Sequence, residues 1–138
     1  MRRWVANQSA ASSYSAGNDG VLSVVSGSVP NSQTASCWVI FTNNGHSAFV
    51  SNTGSGTISS YDLTSSGGTL TLLNSVAGDL GPSSAPIDIA LNISSQFLYV
   101  LEGGAQSVAS FRVGPNGSLT LIDTDGGLPL GAQGIAAK

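Results

Sequence analysis

A unit of about fifty residues occurs more than once in this chain, and no other feature narrows the possible folds as far. Ala48-Phe49-Val50-Ser51-Asn52 through Ile58-Ser59-Ser60-Tyr61-Asp62-Leu63 returns fifty residues later as Leu98-Tyr99-Val100-Leu101-Glu102 through Val108-Ala109-Ser110-Phe111-Arg112-Val113. Gly68-Thr69-Leu70-Thr71-Leu72 returns as Gly117-Ser118-Leu119-Thr120-Leu121. A partial copy comes earlier: Trp4-Val5-Ala6-Asn7 matches Phe49-Val50-Ser51-Asn52, and Gly17 to Val25 matches Gly114 to Ile122. Gly134-Ile135-Ala136-Ala137 stands where Pro86-Ile87-Asp88-Ile89 opens the unit before it.

Each unit reads as four short strands, which in the first whole copy are Cys37–Thr42, Ser47–Asn52, Thr57–Asp62 and Thr69–Val76. Val, Ile, Phe, Tyr and Thr favour a pleated surface, and the glycines fall between the strands. Asn44-Gly45 is expected to supply two positive-φ residues to a tight first hairpin, and Gly20, Gly68 and Gly117 share one place in the third. Four strands in just under fifty residues is the arithmetic of a β-propeller blade. A two-layer sandwich has no need of a repeat, so the expected fold is an all-β partial propeller of four-stranded antiparallel blades.

The expected layout over 1–138 is a partial blade and connector at 1–36, whole blades at 37–85 and 86–133, and the first strand of another at 134–138. Closed rings have four to eight blades. The chain is therefore expected either to belong with further blades or to self-associate, because unpaired strands and apolar blade faces are left at both ends.

Composition excludes several classes. Only 8% of residues are charged, and four Lys+Arg against seven Asp+Glu give a net charge of −3, so neither nucleic acid nor an anionic membrane surface is an expected partner. The longest apolar runs, Trp38 to Phe41 and Phe97 to Leu101, are far short of the ~20 residues of a membrane helix. Met1-Arg2-Arg3 is followed by Trp4-Val5-Ala6-Asn7-Gln8 rather than by a long apolar stretch, so no export signal is expected in these residues, and the compartment stays open. The single cysteine, Cys37, rules out an internal disulfide and is expected to be inert packing at a strand start.

Cys37 to Asn52 followed by Gly54-Ser55-Gly56-Thr57-Ile58-Ser59-Ser60-Tyr61, with the second copy at Ile87 to Ala90, Phe97 to Val100 and Ser107 to Val113, resembles the lactonase-type seven-bladed β-propeller family of 6-phosphogluconolactonase-like and carboxymuconate-cyclase-like proteins. The resemblance implies a C-terminal portion of such a protein, with the tail Gly127 to Lys138 as its natural end and about four blades lying upstream. It further implies a sugar lactone, such as 6-phosphogluconolactone, as substrate of the parent protein. The alternative is a non-catalytic propeller module that binds a ligand or a protein.

In a propeller, the turns between second and third strands and the connectors between blades share one face. Asn7, Asn52 and Glu102 end equivalent second strands, and Gln33, Asp79, Ser83, Ser84 and Asp88 lie in or near the connectors on that face. They read either as a polar ring for a sugar-like or lactone ligand or as ordinary turn hydrogen bonding. Asn7, Asn52 and Asp88 are the candidate ligand-binding residues. Glu102, the one carboxylate of its set, is the candidate base for activating water, with Asp88 a possible acid partner. His46, the only histidine, belongs to the opposite face and reads as a solvated turn residue. Lactonases of this family often carry a histidine after a proline at the start of a first strand, where this chain has Ser36-Cys37 and Pro86-Ile87. Arg112, between Phe111 and Val113, is expected in an interblade ion pair or snorkelling at the surface. Asp123-Thr124-Asp125-Gly126 lacks the later ligands of a calcium loop, and the Gly-rich turns precede no helix, so no metal and no cofactor are expected.

Overall fold

The computed structural model describes residues 9–64 and 67–138. Among these residues, ten strands form three antiparallel sheets. The first holds β1 (Ala10–Ala16) and β2 (Leu22–Pro30). The second runs in chain order through β3 (Ser36–Phe41), β4 (Ser47–Asn52), β5 (Thr57–Asp62) and β6 (Thr71–Asp79). The third runs through β7 (Pro86–Leu91), β8 (Phe97–Glu102), β9 (Ser107–Val113) and β10 (Leu119–Gly126), with a short 3₁₀ turn at Pro115–Gly117. The two four-stranded meanders are the blades read from the repeat. Trp4 to Asn7, read as an earlier second strand, lie outside the described residues.

Strand alternation divides each blade into two faces. On β4 and β5, Ala48, Val50 and Tyr61 pack with Leu70 towards Ala11 and Val29 of the first sheet. The other face sends Phe49 and Ile58 into the larger core, where they meet Leu98, Val100, Ala109 and Phe111 of the third sheet. Burial of an aromatic or branched side chain contributes about 1.5–3 kcal/mol, so this apolar layer is what holds one blade to the next.

Three readings of the sequence are corrected. The outer strand of the first whole blade runs over Thr71–Asp79 rather than Thr69–Val76, because bulges between Ile58 and Tyr61 shift its pairing along β5. The turn with two positive-φ residues is the third hairpin, at Gly67 (φ 81) and Gly68 (φ 80) and again at Asn116 (φ 55) and Gly117 (φ 65). At Asn44-Gly45 only the glycine is left-handed, since the Asn44 side chain accepts from the His46 N–H and the Thr42 hydroxyl and closes the loop itself. Cys37 is exposed, as are Trp38, Val39 and Phe41 along the same strand.

Residues 134–138 pair with no strand among the described residues. The connector leading to them has a familiar shape. Positive φ at Gly131 (81) and Gly134 (82) repeats Ser32 (61) and Ala35 (52) before β3, and Gly81 (84) and Ala85 (45) before β7. The backbone thus aligns Gly134 with Ala85, one residue from the alignment read in the sequence.

Candidate functional site

The face carrying the candidate residues is built by the connectors and the ends of β4 and β8. Ala35 and Ala85 bend their connectors so that their carbonyls accept from the Thr53 and Gly103 N–H groups, at 2.9 and 3.0 Å. This repeated pair of bonds fixes the ends of the second strands in both blades.

Asn52 is fully buried and fully engaged. Its Oδ1 accepts from Asn31 Nδ2 (2.9 Å) and Ser36 Oγ (2.7 Å), and its Nδ2 donates to Thr57 Oγ1 (3.1 Å) and Ser59 Oγ (2.9 Å). Thr57 Oγ1 in turn donates to Gln33 Oε1 (2.8 Å), and Gln33 Nε2 donates to Ser75 Oγ (2.8 Å). An amide has four hydrogen-bonding positions, and here all four are filled from within the chain. The candidate ligand group is therefore a cross-link between β2's connector and the following blade. Sequence reasoning missed Asn31, which is itself fully buried; nothing in its neighbours singled it out from other turn asparagines.

Glu102 occupies the same place in the next blade, 4% exposed, on the face that packs against β4 and β5. Its Oε2 accepts from Ser107 Oγ at 2.7 Å. The spacing of five from Glu102 to Ser107 is that of Asn52 to Thr57, a signal the repeat did contain. Where the earlier network has Asn31, Ser36 and Ser59, the later blade has Gly81, Pro86 and Ala109, none with a side-chain polar atom. Glu102 is the only buried acidic residue among those described.

Neither cation among the described residues pairs with it. Arg112 is exposed and stacks over the Phe97 ring at 5.2 Å on the opposite face of the blade, the surface placement of the two readings rather than the ion pair. Lys138 ends the exposed tail, and Arg2 and Arg3 lie outside the described residues. His46 is exposed in the β3–β4 hairpin at the other end of the blades, beside a polar cavity of about 540 Å³ that also takes in Asp62 and Asn116.

Asp88 does not join Glu102. Asp88 pairs across from Leu101 and Glu102 across from Pro86, so the two carboxylates leave opposite faces of the sheet. Asp88 Oδ1 accepts from the Ile89 N–H and Oδ2 from the Ile135 N–H, each at 2.8 Å. It anchors the tail. Asn7 lies outside the described residues. No group of three or more His, Cys, Asp or Glu residues among those described is placed to hold a metal ion.

The fold recurs in solved structures. A functionally unknown protein from Desulfotomaculum acetoxidans is 24% identical, with a TM-score of 0.71 over 85% of this chain and 35% of that one. A periplasmic gluconolactonase of Pseudomonas aeruginosa is 18% identical, with a TM-score of 0.70 over 88% of this chain and 37% of that one. A candidate 6-phosphogluconolactonase of Bacteroides uniformis is 18% identical, with a TM-score of 0.64 over 82% and 35%. This chain thus spans little more than a third of the length of each. None of the curated proteins compared matches it. Residues 38–127, most of the two repeated blades, match the family model for the lactonase 7-bladed β-propeller, and the chain belongs to that family.

Proposed function

We propose that these blades serve a propeller that opens a sugar lactone, with Glu102 as the base. The observation that supports this reading is a buried carboxylate at the place where the preceding blade has a neutral, fully bonded amide. Burying a carboxylate is costly unless it is paired, and here one serine hydroxyl meets it. In the reaction, Glu102 accepts a proton as water attacks the lactone carbonyl carbon. The carbonyl oxygen carries the developing negative charge, the ring C–O bond then breaks, and the proton passes to the departing ring oxygen, leaving a hydroxy acid. Ser107 holds the carboxylate in one orientation.

A second reading, a propeller that binds a sugar-like ligand without turnover, is favoured by the placement of His46 away from Glu102 and by the internal engagement of Asn52 and Gln33. Acid release from a panel of sugar lactones, measured with the assembled protein and with Glu102→Gln, separates the two. Hydrolysis is expected, reduced about 10²–10⁴-fold by the substitution. A rate unchanged in Glu102→Gln removes Glu102 from the reaction, and saturable binding without hydrolysis selects the second reading.

A further inference from the structure

The polar cavity of about 540 Å³ beside His46 lies between the two whole blades, at the other end of the fold from Glu102, and the lactone chemistry makes no use of it. One wall is the β3–β4 hairpin with Asp62, Thr64 and Leu73. The other is Ser94 and Ser95 of the β7–β8 hairpin and the turn from Val113 to Gly117. Its size falls within the roughly 300–1,000 Å³ usual for ligand sites.

Bonds across the seam hold the two walls in place. The Asn43 N–H donates to Ser95 Oγ at 2.9 Å, and the Asn43 side-chain amide donates to the Ile93 carbonyl. Asn74 Nδ2, on the first wall's blade, donates to the Asn116 carbonyl at 3.0 Å and to Ser60 Oγ at 2.9 Å. Gly117 packs so closely on the same blade that an added Cβ would lie 2.7 Å from Ser60 Oγ. A ligand entering here meets a cavity already formed, so little ordering opposes its binding.

The lining chemistry narrows what fits. Each carboxylate oxygen of Asp62 accepts once from Thr64, from its N–H at 3.2 Å and its hydroxyl at 2.7 Å, and each keeps a lone pair. Ser94 Oγ accepts from Asn92 Nδ2 and keeps its own proton to donate. The His46 ring and the Asn116 side-chain amide, both exposed, have no partner among the described residues. Donors and acceptors mixed in this way suit hydroxyl groups, each of which is both. Leu73, Val113 and Pro115 add an apolar wall for the C–H face of a ring. No Lys or Arg lines the cavity among the described residues, and the Asp62 charge repels anions.

We propose that this seam is a second binding site, one that takes a neutral saccharide and discriminates against sugar acids. Such a site is independent of the lactonase reading, because occupancy here is measured without turnover.

The full isotope-labelled chain, titrated with glucose, galactose and maltose and separately with glucuronate, gives the test through its backbone amide NMR signals. At least one neutral sugar should shift the signals of His46, Asp62, Ser94 and Asn116 saturably and leave those of Glu102 and Ser107 in place. Glucuronate should bind at least about tenfold more weakly than glucose. A methyl glucoside that binds as well as glucose assigns the site to the end of a glycan, and one that is excluded assigns it to a free sugar; either supports the site. Asp62→Asn and His46→Ala, neither in an apolar core, should each weaken neutral-sugar binding about three- to tenfold, and Asp62→Asn should also narrow the gap to glucuronate. The absence of saturable shifts with every neutral sugar overturns the proposal. So do shifts centred on Glu102, glucuronate bound as tightly as glucose, and folded variants that bind as tightly as the unaltered chain. Should Asp62→Asn unfold, His46→Ala and the shifts in the unaltered chain decide.

Discussion

Asn52 and Glu102 hold one structural place fifty residues apart, each closing the second strand of its blade and each bonded to a hydroxyl five residues on, at 3.1 Å to Thr57 and 2.7 Å from Ser107. The first is neutral and bonded at all four positions; the second carries a carboxylate. The repeated backbone tolerates both because the difference is absorbed by the preceding connector, through Asn31 and Ser36 in one case and Gly81 and Pro86 in the other.

The amide network should therefore matter more for stability than for binding. Asn52→Ala takes a hydrogen-bond partner from the buried side chains of Asn31, Thr57 and Ser59, and each unsatisfied buried group costs about 1–3 kcal/mol. Urea denaturation should show a loss of at least that size. A change below about 0.5 kcal/mol, usual for a surface site, would contradict the network's role.

The apolar layer between the two whole blades has Phe111, 1% exposed, near its centre. Phe111→Ala should cost about 3–5 kcal/mol, since neighbouring strands cannot collapse fully into the space left. Thermal melts monitored by circular dichroism should show a large drop in midpoint, and a shift of only a degree or two would mean that the blades are not joined there.

Two glycines with nearly the same left-handed φ should respond differently. Gly45 (φ 70) has open space around it, so Gly45→Ala should cost only the backbone strain of about 1–2 kcal/mol. At Gly56 (φ 68) an added Cβ runs into the Gly81 carbonyl oxygen and lies 3.0 Å from Ser84 Oγ, so Gly56→Ala should be clearly more damaging. Equal losses in the two variants would show that the turn after β4 does not depend on close approach to the Gly81 connector.

Alkaline pH should loosen the fold through Tyr61. The ring is fully buried and its hydroxyl donates to the Val29 carbonyl at 3.0 Å; burial raises its pKa above the usual 10.0. The unfolded chain ionises first, so this contribution is intact below pH 10 and is lost as pH climbs from there through the folded-state value. Urea titrations from about pH 8 to about pH 11, bracketing the tyrosine range, should show that decline, and Tyr61→Phe should flatten it. Identical alkaline profiles for both proteins would assign the decline to other groups.

The repeat, the four strands of each whole blade and their order are legible in the sequence, because turn chemistry and strand propensity are local and recur with the unit. It also marked Asn52 and Glu102 as equivalent, and set His46 apart in a hairpin at the other end. What those equivalent places do depends on contacts between segments far apart in the chain. Asp88 and Glu102 look like a carboxylate pair in a linear reading, yet the bulge at Ile87 and the register after it send them to opposite faces. Asn52 looks like a ligand group until Asn31, twenty-one residues away, is seen to fill its acceptor. Exposure was decided in the same way: Val39 and Ile89 sit in matching strands, and burial separates them because it is a property of the neighbouring blade, which no local pattern encodes.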